Sequence, residues 1–206
     1  MKRKKLFHYK FLLVLLIPLL FASCENSTGN KNPQPVSSQT FPNMVGDKWV
    51  YAIHDSLSHT VDTLEMKIVG TTTANGKSLT IWARKSSVYK DTFYVSINND
   101  TVNYYDDPIP NVVDHKLIFP LKTGNFWKNP NQLSDSTTVT GQDLITVPAD
   151  TFNDAYRIER NWTSFNIRGY SITWFVNNVG IVKMYRRVQG FDNIQETWDL
   201  LSYTVY

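Results

Sequence analysis

In residues 64–68, Leu64, Met66 and Ile68 alternate with Glu65 and Lys67, a period of two that turns one strand face inward and the other to water. This alternation, or a β-branched and aromatic run, recurs throughout the chain beyond Thr40. It predicts strands at 49–53, 61–69, 78–83, 92–97 and 102–105, and again at 137–147, 155–162, 170–176, 181–188 and 197–206. No stretch after Thr40 keeps apolar residues at helical spacing for more than about two turns. Asn75-Gly76, Asn98-Asn99-Asp100, Asn177-Asn178, and Gly190 with Asp192 and Asn193 punctuate the runs. Asn-Gly suits a type I′ hairpin turn, which needs positive φ at both central residues. The long aromatic segment 194–206 is expected as a central or closing strand, since a free strand of that polarity would invite edge pairing.

The pattern also reads twice. Phe41-Pro42 is followed by Gly46, Asp47 and Trp49, and Phe119-Pro120 is followed at the same spacing by Gly124, Asn125 and Trp127. Residues 93–105 line up with 172–185, each a strand, an Asn-Asn pair and another strand. A unit that cannot close its own core stacks on its copy. The expected fold is all-β: an antiparallel β-sandwich or an open, partly closed barrel built from two similar units, about 41–108 and 119–191, in a single domain 41–206.

Upstream the pattern changes. Lys2, Arg3, Lys4, Lys5 and Lys10 precede an apolar run from Phe11 to Ala22, the layout of a secretory signal over residues 1–23. As a helix this run covers roughly 18 Å, too short for a hydrocarbon core of about 30 Å. It ends at Phe21, Ala22, Ser23 and Cys24, the only cysteine in the chain. The placement resembles the lipobox of bacterial lipoproteins, with Phe21 where leucine is usual. The resemblance implies that Cys24 is diacylated on sulfur, with palmitate-type chains, and becomes the mature N-terminus. Two acyl chains at about 0.8 kcal/mol per buried methylene anchor stably where one is marginal. Glu25 follows instead of aspartate, which by resemblance to Gram-negative sorting points to the outer rather than the inner membrane. The rest of 24–40 is rich in Asn, Ser, Thr and Gln, contains Pro33 and Pro35, and reads as a disordered tether.

Removing the leader changes the charge picture. The whole chain carries a formal +3, but five cations lie before Cys24, so the remainder has a net charge of −2. No basic surface is left for nucleic acid, and that class of partner is excluded. A lone cysteine allows no intramolecular disulfide, so burial must hold the fold.

Candidate chemistry is sparse. His54 and His59, with Asp55 or Asp62, have the composition of a small metal site without the spacing of a known motif. Asp106, Asp107 and Asp114 are ordinary turn acids that could also meet Ca²⁺. Glu65, Glu159 and Glu196 offer carboxylates for glycoside chemistry, but each falls in a strand pattern and is expected on an exposed face. No nucleophile elbow, phosphate loop or dinucleotide fingerprint is present, so neither an enzyme nor a bound cofactor or metal is expected. Among the tryptophans, Trp49, Trp127 and Trp174 fall at repeated positions and are expected to fill the core. Trp82, Trp162 and Trp198 are less constrained and are the candidate ligand-contacting aromatics.

Val147-Pro148-Ala149-Asp150-Thr151-Phe152, then Trp174-Phe175 and Val179-Gly180-Ile181-Val182-Lys183, with Pro120-Leu121-Lys122-Thr123-Gly124-Asn125-Phe126-Trp127 upstream, resemble a family of uncharacterised bacterial envelope lipoproteins. Asp150 stands where that pattern has glycine. The resemblance implies an all-β envelope domain and carries no activity. The expected function is a lipid-anchored, non-enzymatic binding or assembly module held to the membrane by Cys24. Two alternatives are a carrier enclosing a lipid or other hydrophobic ligand and a glycan-binding surface lipoprotein. The envelope protein that such a module would meet is not named by any motif.

Overall fold

The computed structural model describes residues 40–109, 112–129, 134–164, 166–190 and 193–206. Cys24, the leader and the tether up to residue 39 lie outside the described residues. The described residues form twelve strands: β1 (Lys48–Asp55), β2 (Thr60–Ala74), β3 (Lys77–Lys85), β4 (Lys90–Asn98), β5 (Thr101–Tyr105), β6 (His115–Ile118), β7 (Phe126–Lys128), β8 (Ser134–Val147), β9 (Asp150–Ser164), β10 (Ile167–Val176), β11 (Gly180–Gln189) and β12 (Ile194–Thr204). Among the described residues there is no α-helix.

All twelve strands belong to one antiparallel sheet with the order β6-β5-β4-β3-β2-β1-β12-β11-β10-β9-β8-β7. Two six-stranded meanders, β1–β6 and β7–β12, are thus joined through the β1–β12 pair. The sheet coils into a nearly closed barrel, the partly closed alternative of the expected all-β class. Its edges, β6 and β7, meet through side chains: the Trp127 indole N–H donates to the Lys116 carbonyl at 2.9 Å, and the Lys116 N–H donates to Asn129 Oδ1 at 3.1 Å.

Local chemistry explains the turns. Ala74 pairs with Lys77 across Asn75 and Gly76, whose φ values of 49° and 72° are the positive pair a type I′ turn demands. Gly46 (φ 105°) donates its N–H to the Ile68 carbonyl, and the Asp47 carbonyl accepts from Ile68. The same exchange recurs between Gly124 (φ 91°), Asn125 and Val139. At the β8–β9 turn Asp150 pairs with Val147 across Pro148 and Ala149 and has no positive φ, so aspartate fits there without left-handed backbone.

Strands β6 and β7, four and three residues long, are additions to the ten expected segments. The segment expected as central or closing is β12, in the middle of the sheet between β1 and β11. Leu64, Met66 and Ile68 are buried on the inner face with Trp49, Tyr51 and Leu200. Trp127 is also buried, whereas Trp174 is half-buried and donates its indole N–H to Asp143 at 2.8 Å.

One expectation is corrected. Glu196 is only 6% exposed, because Glu196, Trp198 and Leu200 alternate inward along β12. Its charge is matched inside by the Tyr89 hydroxyl and Arg186. Glu65, by contrast, is exposed enough to pair with Lys48 at 2.6 Å, and Glu159 pairs with Arg157 at 2.9 Å.

Candidate functional site: a cavity inside the barrel

The barrel encloses a cavity of about 380 Å³. Its apolar part is made by Phe41, Trp49, Tyr51, Trp82, Phe93 and Phe175. The rings pack on one another: Trp49 stacks on Trp82 at 5.0 Å between centroids, Phe41 on Phe175 at 6.0 Å, and Phe93 lies 5.5 Å from Trp82. Phe119, between β6 and β7, packs edge-on against Phe41 and Phe175. Phe41 precedes β1, Phe119 follows β6 and Phe175 lies late in β10, so these rings plug the end where odd-numbered strands begin.

The polar part gathers at the other end. Arg84, Arg160 and Arg186 lie late in β3, β9 and β11, while Asp114 and His115 stand at the start of β6. In an up-and-down antiparallel barrel, odd strands finish where even strands begin. Residues distant in sequence therefore converge at one end of the cavity.

Each guanidinium is held by a carboxylate. Arg160 grips Asp135, whose side chain is fully buried, through Nε at 3.1 Å and Nη2 at 2.7 Å. Asn129 Nδ2 donates to the same carboxylate at 2.8 Å. Arg84 is bidentate to Asp91, with both bonds at 2.8 Å, and its guanidinium lies 5.3 Å from the ring centres of Tyr89 and Phe93. Arg186 lies 3.5 Å from Glu196 and donates to the Tyr89 hydroxyl at 3.3 Å. The Tyr89 hydroxyl itself donates to Glu196 at 2.9 Å. Burial, with the neighbouring Glu196 carboxylate, pushes the Tyr89 phenol up to about 12.

His115 stacks on Tyr104 at 4.1 Å, and its Nδ1 lies 2.5 Å from Asp114 Oδ2. Protein surrounds the imidazole, yet its side chain is 30% exposed because it forms part of the cavity wall. Burial, aided by the Arg160 charge, lowers its pKa against the opposing pull of Asp114. Burial alone would raise the Asp114 carboxyl, but His115 and Arg160 hold it well below the usual carboxylate range. A neutral imidazole donating from Nδ1 to an ionised Asp114 fits both directions. Asp106, which also lines the cavity, is displaced upward by burial and by the Asp114 charge.

Trp82, Trp162 and Trp198 all line this cavity. They do not form an exposed row: Trp82 is 5% and Trp198 3% exposed. Trp82 donates its N–H to Asn43 Oδ1 at 3.1 Å. Half-buried Trp162 lies over Gly169 on β10, where a Cβ would come within 1.8 Å of the indole, and beneath the Arg160 guanidinium at 4.9 Å. The buried Trp198 N–H finds no acceptor among the described residues. His54 faces Asp199 at 3.7 Å and His59 occupies a turn at φ 55°. Among the described residues no group of three or more His, Cys, Asp or Glu side chains is arranged to hold a metal ion. Sequence reasoning missed Arg84, Arg160, Arg186 and His115; strand direction was the signal that could have placed them together.

The molecule is thus an all-antiparallel, nearly closed barrel with an aromatic interior and one charged end. No family model and no curated relative matches the sequence. Among solved structures the chain is similar to a Bacteroides fragilis protein described as exported and of YmcC-like fold, at 12% identity over 80% of this chain and 98% of that one, with a TM-score of 0.47. It is also similar to a Parabacteroides distasonis protein described as a lipoprotein, at 14% identity over 80% of this chain and 98% of that one, with a TM-score of 0.43.

Proposed function

We propose that this chain is a non-enzymatic envelope lipoprotein, anchored through Cys24 to the outer membrane, whose barrel binds a small hydrophobic molecule. The cavity of about 380 Å³, walled by stacked aromatic rings, carries this reading. Ligand pockets span about 300 to 1,000 Å³ and combine apolar walls with a few convergent polar groups, as this one does. The aromatic walls would bury a ligand's apolar surface at about 25 cal/mol per Å², enough for a modest apolar body to be retained. The glycan reading draws less support, because Trp82 and Trp198 are buried rather than laid out as a flat stacking platform. Anchoring rests on the cationic head, the short apolar run and Cys24.

Native mass spectrometry of the full chain purified from its own membranes tests the proposal. A retained hydrophobic molecule, lost on solvent extraction, is the expected result. A clean apo-protein mass under conditions that preserve the fold would defeat the ligand-binding reading.

A further inference from the structure

We propose that Arg84 and Arg186 form a clamp for the anionic head of an amphipathic ligand whose apolar body occupies the barrel; the inference rests on the cavity being a ligand site. Both residues line the cavity and both converge on one side chain, Tyr89. Arg84 packs on its ring at 5.3 Å, and Arg186 reaches its hydroxyl at 3.3 Å. The carboxylates that neutralise them, Asp91 and Glu196, are not part of the cavity lining. Each carboxylate is the cross-strand neighbour of its arginine, Asp91 of Arg84 and Glu196 of Arg186, so it braces the guanidinium from the side and leaves N–H donors for the ligand space.

A guanidinium has five N–H donors in a rigid fork. Asp91 takes Nε and Nη2 of Arg84, which leaves Nη1 without a partner among the described residues. Tyr89 and Glu196 engage Arg186 through Nη1, which leaves Nε and Nη2 in the same condition. Holding each fork from one side fixes its geometry before a ligand arrives, so less side-chain entropy is lost on binding. A planar carboxylate or a phosphate is the acceptor such forks fit.

A second observation stands beside the clamp. Trp198 lines the cavity, packs edge-on against Tyr89 at 5.8 Å, and carries a buried N–H with no acceptor among the described residues. An orphaned buried donor costs about 1–3 kcal/mol, a cost that a ligand oxygen would remove. The lining carboxylates act in the opposite sense. Asp114 is occupied by His115 and Arg160, while the exposed Asp106 feels the Arg84 charge without forming an ion pair with it. Around Tyr89 the two guanidiniums are matched by two carboxylates, Asp91 and Glu196, so the unused N–H donors rather than a net charge are what the clamp offers a ligand.

The test loads nanodiscs carrying the full chain with myristate, with lysophosphatidate of the same chain length, or with the neutral isostere n-tetradecanol. Native mass spectrometry then counts the protein that retains each probe. At least one anion is expected to exceed the alcohol by about tenfold or more, the equivalent of one charge-assisted hydrogen bond. Whichever anion wins distinguishes a carboxylate from a phosphate head. Arg84→Gln, and Arg186→Lys, which keeps a cation beside Glu196, are each expected to erase the preference, read within each variant as the ratio of anion to tetradecanol retained. Equal retention of all three probes, or a preference that survives both variants, overturns the clamp and leaves the ligand cavity standing. Retention of none overturns the cavity reading as well.

Discussion

Trp127, on edge strand β7, donates its indole N–H at 2.9 Å to the main-chain carbonyl of Lys116 on β6, the opposite edge of the same sheet. A ladder would have closed the barrel there; a side chain does it instead, with Asn129 adding a second bond to the same residue. Trp127→Phe keeps an aromatic ring and deletes the donor. The expected cost is about 1–2 kcal/mol, read as a lower urea midpoint at constant slope. An unchanged midpoint would show that the seam bond contributes nothing.

Gly169 has no room for a methyl group, since its Cβ would meet Trp162 at 1.8 Å. Gly169→Ala is expected to displace the indole and destabilise the barrel by about 1–3 kcal/mol, the usual range for overpacking. In a double-mutant cycle, Trp162→Ala should relieve most of that penalty. Additive losses would mean that the two residues do not compete for the same space.

Stability should fall on mild acidification. An unfolded histidine takes up a proton below about pH 6.5, whereas His115, lowered in the fold, resists it. The stability stored in the neutral imidazole is therefore complete above that value and lost as the pH drops through it. Urea unfolding at about pH 7.5 and about pH 5.5 should show a smaller drop for His115→Gln than for the native chain. Equal drops would exclude His115 as the group responsible.

Asp135 has a fully buried side chain and two partners, the half-buried Arg160 and the buried Asn129. Asp135→Ala leaves the Arg160 guanidinium facing Asp114 alone at 3.5 Å. Breaking a buried pair from one side costs about 3–5 kcal/mol. Thermal melts of the variant should show a large fall in midpoint, and replacing Arg160 by Leu in the same chain should recover part of it. No recovery would place the loss in packing rather than charge.

For the anchor, Cys24→Ala in the full chain is expected to shift the protein from the membrane pellet to a soluble or unprocessed form. Unaltered fractionation of the variant would remove Cys24 from the account.

The strands were legible where the side-chain period was long enough to read. Leu64, Met66 and Ile68 gave a face, Asn75-Gly76 gave a turn, and the polarity of 194–206 gave a central strand. Strands β6 and β7 are too short to show any period, and their existence depends on neighbours in space. Glu196 was misjudged because a carboxylate at an inward position reads as a polar face until its partners are known, and Tyr89 lies 107 residues away in the chain. The cavity was illegible for the same reason. Arg84, Arg160 and Arg186 look like scattered surface charges in one dimension, and only strand direction and register bring them to a common end.

The pairing of Lys48 with Thr204 has a consequence for biogenesis. Ribosomes deliver a chain from its N-terminus, so β1 is followed at once by β2, whereas its second main-chain partner, β12, comes after all the other described strands. Such distant contacts slow assembly and prolong the life of sticky intermediates. Until β12 is released, the inner face bearing Trp49 and Tyr51 stands beside an unzipped border, making the nascent protein most vulnerable at the strand its mature form shields best.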